Sequence, residues 1–267
     1  MTHPLLRAAA ARFLLGSSWM LLVSCRTAAV DPPAASAGEV AQPVSAQPLP
    51  PAPSSVDLRP TFMALGLAPR PQGARGTCSI FTTCSAIEFA LAKQTGRAVR
   101  LSPEYLNWAG AKAINQPSDG NFFHNALKGW EQDGLCAEVL MPYAGAYDPA
   151  RNPSQEARAE AHAIRDQARE SLVVHWIVPW EPDRFGVSDA QFAEIKATLA
   201  HGDPIAAGSA HSRLLVGYRD DPELPGGGVF LTLDSALNRF DEVTYEFVRR
   251  DVADVFWIEC VAPSGDH

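Results

Sequence analysis

The sequence predicts an α+β domain with its helices in the first half and antiparallel strands in the second. Residues 79–94, 103–113 and 122–133 repeat apolar side chains every three or four positions, the period of helices that bury one face. Residues 172–178, 204–208, 211–218 and 229–235 are short apolar runs bounded by Gly, Pro, Ser or Asp, which suits strands. From Val56 to about Pro263 the chain is long enough for one well-cored domain, and it contains no internal repeat.

The chain begins with Arg7 and Arg12, no acid, and an apolar run over 13–23 that is too short to span a membrane. Residues 1–24 therefore read as an export signal. Leu22-Val23-Ser24-Cys25 resembles a bacterial lipobox. That resemblance implies a diacylated Cys25 at the mature N-terminus and a lipoprotein of the bacterial envelope. Residues 25–55 are dominated by Ala, Pro and Ser without aromatics, the composition of a disordered tether.

Residues 72–78, Gln72-Gly73-Ala74-Arg75-Gly76-Thr77-Cys78, form a glycine-containing loop entering the first helical pattern. A thiol at that junction feels the positive end of the helix dipole, which favours thiolate and makes Cys78 a candidate nucleophile. Ser102 with Pro103 caps the helix over 103–113, and Gly134 ends the one over 122–133. The charged, alanine-rich stretch 152–171 reads as a solvated helix. Ser188 and Gly202 bound another over 187–201. His175 and His201 read as structural, the latter as a cation at a helix C-terminus.

The stretch around Cys78 resembles the active-site segment of the papain-like cysteine peptidases, where a glutamine six residues before the nucleophile donates to the oxyanion; Gln72 holds that place. Val56-Asp57-Leu58-Arg59, the 101–106 segment Leu-Ser-Pro-Glu-Tyr-Leu, and 134–143 are similar to further family segments. The resemblance implies a two-lobe fold, a helical N-terminal lobe facing an antiparallel β lobe across one cleft. It implies His211 as general base, opening a strand that closes on Gly217-Tyr218. His211 follows Cys78 by 133 residues, within the roughly 130–150 known for papain-type enzymes. Asp234-Ser235-Ala236-Leu237 stands where the family has Asn-Ser-Trp-Gly, so Asp234 would orient His211.

Gly120 and Asn121 stand where relatives place a glycine pair that binds the substrate backbone. Asparagine tolerates positive φ, so Asn121 is expected to keep that conformation. Arg75 replaces a disulfide cysteine, and Ser79 replaces an aromatic. The two residues between Gly208 and His211 require a tight hairpin, which together with Asp234 is also similar to the double-glycine processing peptidases. The resemblance implies peptide or protein substrates. The tether is too short for a helical inhibitory propeptide.

Other chemistries find no support. There are 22 basic and 30 acidic side chains, with no basic patch for nucleic acid. No Cys or His spacing suggests a metal, and no glycine-rich loop follows a strand to hold a phosphate-bearing cofactor. Cys84, Cys136 and Cys260 allow at most one disulfide among them, with Cys84 expected in the core. The losses at Ser79, Asn121 and Ala236 keep a second reading open, a peptidase-like binding or scaffold protein.

Overall fold

A computed structural model describes residues 53–261. The signal over 1–24, the acylation candidate Cys25 and the tether as far as residue 52 lie outside the described residues.

The central element is helix α2, Cys78–Thr95, in which every residue from Ser79 to Ala92 is buried. A helix covered all round must have neighbours on every side, and its small residues Ser79, Ser85, Ala86 and Ala90 let them approach. On one side stand α3, Pro103–Ala113, and α4, Phe123–Asp133. Ser102 caps α3 by accepting from the Tyr105 N–H at 2.9 Å, as the Ser-Pro pair predicts. Gly134 follows α4, and α5 spans Gln155–Ala168.

On the other side of α2 lies an antiparallel sheet. Its strands are β1 Ser55–Asp57, β2 Leu172–Val178, β3 Ile205–Gly208, β4 Arg213–Asp220, β5 Gly228–Asp234, β6 Arg239–Thr244 and β7 Asp254–Cys260, in the order β2-β7-β3-β4-β5-β6 with β1 on β4. Alternate residues serve two cores. Ala206, Leu214, Leu231 and Phe256 face the helices around α2. Ile205, Leu215, Phe230 and Val255 face α6, Asp189–His201, and α7, Tyr245–Asp251. Because both faces are covered, β5 is buried along its whole length, so it reads as a continuous apolar run without alternation.

Two expectations are corrected. The tether does not extend to residue 55: Ser55 is already in β1, the Asp220 N–H donates to the Ser54 carbonyl at 2.8 Å, and the Tyr218 hydroxyl donates to the Pro53 carbonyl. A β4 position without a side chain permits this docking, because a Cβ on Gly217 (φ +154°) would lie 2.2 Å from the Val56 carbonyl oxygen. Nor does His211 open a strand. β4 begins at Arg213, and His211 sits in the turn of the β3–β4 hairpin, held where the Ser209 hydroxyl donates to the His211 carbonyl at 2.7 Å.

Candidate active site

Cys78 is the first residue of α2, so its N–H belongs to the unpaired first turn of the helix. The preceding Thr77 does not cap that turn; its hydroxyl is hydrogen-bonded to the Tyr143 hydroxyl at 2.7 Å. The helix N-terminus is left with donors free for an anion, beside a sulfur that is half-buried. Burial pushes the Cys78 thiol up, but a hydrogen bond with His211 and the N–H of Ser212 outweigh it and hold the pKa below the ordinary value.

The imidazole stands between Cys78 and Asp234. His211 Nε2 lies 3.0 and 3.1 Å from the two Asp234 carboxylate oxygens. An ionised carboxylate only accepts, so Nε2 carries the proton and Nδ1 is left for the thiol. The interaction with Cys78 raises the His211 pKa; burial opposes it, and Asp234 adds to the rise. The two partners thus shift in opposite directions, which favours thiolate and imidazolium over the neutral pair.

Asp234 ends β5 and is only 1% exposed. Burial pushes its pKa up, but the Leu237 N–H, His211 and Arg213 outweigh burial and bring it below the ordinary value. Its Oδ1 accepts from the Ala236 and Leu237 N–H groups at 2.9 and 3.0 Å, and its Oδ2 from Arg213 Nε at 3.0 Å. The carboxylate is therefore fixed on all sides before any substrate arrives.

Gln72 is buried beside Cys78. Its Oε1 accepts from the Ser235 hydroxyl at 2.7 Å, and its Nε2 donates to the Arg75 carbonyl at 2.9 Å. An amide nitrogen has two hydrogens, and the second remains for a ligand. Gly120 (φ +88°) passes so close to the nucleophile loop that a Cβ would lie 2.0 Å from the Gly76 carbonyl oxygen. The expected positive φ of Asn121 is not found. Positive φ among non-glycine residues occurs only at Asn115, Asp183 and Asn238 of the described residues. Asn121 instead accepts at Oδ1 from the Phe122 N–H and Asn125 Nδ2, at 3.0 and 2.7 Å, and its carbonyl accepts from the Ser79 hydroxyl. Side-chain bonds provide the turn that left-handed backbone was expected to make.

Several contributors lay beyond the sequence reading. Arg75 donates to Asp119 through Nε at 2.9 Å and through an Nη to Glu104 at 2.6 Å and to the Ala144 carbonyl at 2.9 Å. Arg213, charged within an apolar strand and two residues after His211, carried a usable signal. Ser212, Ser235 and Tyr143 carried none beyond position. The four described cysteines are free, with Cys84 in the core. His175 pairs with Glu259 and stacks on Trp257, a cross-strand structural role. Among the described residues no three His, Cys, Asp or Glu gather as metal ligands.

Comparisons with known proteins converge. The model of the papain family cysteine proteases matches residues 52–254. A cathepsin L-like proteinase of Phaedon cochleariae is 32% identical over 100 residues, 38% of this chain and 30% of its own length. The chain therefore aligns with less than a third of that relative. Xylellain, a cysteine protease from Xylella fastidiosa, superposes with a TM-score of 0.59 at 18% identity, over 79% of this chain and 87% of its own. Digestive procathepsin L 3 of Tenebrio molitor larval midgut superposes with a TM-score of 0.57 at 17% identity, over 79% and 71%.

Proposed function

The chain belongs to the papain family of cysteine proteases, and we propose on that premise that it hydrolyses peptide bonds through an acyl-enzyme on Cys78. The Cys78 thiolate attacks the scissile carbonyl carbon, and the oxygen takes the negative charge between the Cys78 N–H and Gln72 Nε2. The His211 imidazolium gives its proton to the departing amine as the C–N bond breaks, leaving a thioester. Neutral His211 then takes a proton from water, whose oxygen attacks the thioester carbon, and the thiolate leaves. Asp234 keeps the ring in one orientation and favours its protonated form.

The observation that carries this reading is His211 set between a depressed thiol and a buried carboxylate 3.0 Å away. Treatment with a thiol-directed epoxide followed by mass mapping tests it. Selective labelling of Cys78, together with peptide hydrolysis that Cys78→Ala abolishes, is the expected result. A folded protein that neither reacts at Cys78 nor cleaves peptides is a scaffold, and the reading fails.

The same reading places the enzyme on the bacterial envelope as a lipoprotein held by Cys25. Its support is the Leu22-Val23-Ser24-Cys25 sequence. No helix among the described residues is long and apolar enough to cross a membrane, so a lipid would be the anchor. Cys25→Ser is expected to block processing or release the protein from membranes. Correctly processed protein still bound to membranes would overturn the assignment.

A further inference from the structure

A pocket of about 310 Å³ opens directly beside Cys78 and holds a charged group that the proposed chemistry does not use. Its rim is aromatic: Phe122 and Trp180 are 52% and 37% exposed, with ring centroids 5.0 Å apart. Deeper in, Phe123 and Gly208 lead to Asp254, the first residue of β7. Asp254 is only 5% exposed. Its carboxylate has no hydrogen-bond or ion-pair partner among the described residues, although it lies opposite Gly208 in the β3–β7 ladder. Gly208 leaves it room, since a Cβ there would fall 1.8 Å from Asp254 Oδ1. No Lys, Arg or His lines the pocket.

A buried carboxylate without a donor is costly, and its persistence at the floor of a cleft calls for a ligand that repays the desolvation. We propose that this pocket takes a basic side chain of the substrate, arginine or lysine, and that Asp254 selects it. The side chain's methylenes pass between Phe122 and Trp180, and its cationic head reaches the carboxylate. The aromatic faces favour the same charge. An apolar side chain would seal the carboxylate away from water with nothing in exchange. Burial also pushes the empty-pocket pKa of Asp254 up to about 6, as expected of a carboxyl with no counter-ion.

The inference rests on the peptidase reading for its substrate class, so the test separates the two. Full-length protein is assayed with a fluorogenic peptide library scanned at each position before the cleaved bond. Arg and Lys are expected to exceed norleucine at one position by roughly tenfold to a hundredfold in kcat/KM, the range of a charge-assisted hydrogen bond. Asp254→Asn, close in size and shape, is expected to bring that ratio near one. Apolar preference at every position, or an unchanged Arg preference in Asp254→Asn, overturns the inference and leaves the peptidase standing.

Binding to Cys78→Ala protein gives a second measurement that needs no turnover. Capped tetrapeptides carrying arginine at each position in turn are compared by calorimetry with citrulline counterparts, which keep the shape and lose the charge. Tighter binding of one arginine peptide, by roughly tenfold, supports the inference even if no peptide is cleaved. Equal affinity throughout, or no binding of either, overturns it.

Discussion

Replacing Asp234 by asparagine should narrow the pH range of activity from both sides. An amide oxygen in the Oδ1 place can keep the His211 ring and the Ala236 and Leu237 N–H groups, all at 2.9–3.0 Å. The amide nitrogen must then take the Oδ2 place, where Arg213 Nε stands at 3.0 Å. Two donors would face each other. The substitution also removes the charge that raises the His211 pKa and leaves Arg213, which lowers it. An adjacent opposite charge moves a pKa by roughly 1 to 3 units. Because the His211 side chain is 23% exposed, a fall of about 1 to 2 units is expected, or about 1.4 to 2.7 kcal/mol of ion-pair stabilisation. Activity needs thiolate and imidazolium together. The alkaline limb therefore moves down with His211, and the acid limb moves up as Cys78 loses counter-charge. The assay is kcat/KM against pH on a cleaved peptide, with Cys78→Ala as blank. Adding Arg213→Gln to Asp234→Asn removes the donor conflict and should recover part of the alkaline limb. A profile for Asp234→Asn that superimposes on wild type would refute the coupling of carboxylate and ring.

Gln72→Ala removes one of two oxyanion donors and should lower kcat by roughly a hundredfold to a thousandfold; steady-state kinetics on a folded variant checks this, and an unchanged kcat removes Gln72 from the site. Gly120→Ala places a Cβ 2.0 Å from the Gly76 carbonyl at a φ of +88°, so it should lower Tm and activity together, by at least about 1–3 kcal/mol in stability. A Tm within experimental error of wild type would contradict that placement. Asp254→Asn should stabilise the protein at neutral pH. A carboxyl raised from 3.8 to about 6 on folding supports the fold fully below the lower value, and that support disappears as pH rises through the upper one. The difference is about 3 kcal/mol. Thermal melts should separate variant from wild type at pH 7 and bring them together near pH 4.

Helices and central strands were legible because burial writes periodicity into a sequence. The helix over 103–113 and the strand over 172–178 coincide with α3 and β2. β1, β6 and β7 were not anticipated: β1 is three residues long, β6 is polar, and β7 follows α7 with only two intervening residues. At the site, Gln72, Cys78, His211 and Asp234 could be named from local patterns, because each sits in a segment with its own punctuation. Arg213, Ser235 and Asp254 act only through neighbours far away in the chain. Ser235 meets Gln72 across 163 residues of sequence, a separation that no local pattern encodes. The conformation of Asn121 was misjudged because a tolerance for positive φ is a permission, and the hydrogen bonds from Phe122 and Asn125 decide otherwise.

The four departures from the family pattern bear on whether the site is tuned or decayed, since decay leaves losses without replacements. Arg75 stands in place of a disulfide cysteine, yet it ties the nucleophile loop to Glu104 in α3 and to Asp119 beside Gly120 and stacks over Tyr143 at 4.5 Å. These are the segments that must stay in register for the cleft to keep its shape. Ser79 replaces an aromatic, and its hydroxyl holds the Asn121 carbonyl, so those two departures compensate each other across the cleft. Ala236 replaces a tryptophan that would shield the contact between histidine and its partner. Asp234 is nevertheless almost wholly buried, and Arg213, whose guanidinium lies 5.7 Å from the Phe247 ring centroid, closes one side of it. Each lost group is answered by an interaction with a different sequence position, which random loss does not produce. The same logic extends to Asp254, where no partner within the described fold answers the charge, and the missing partner is assigned to the substrate.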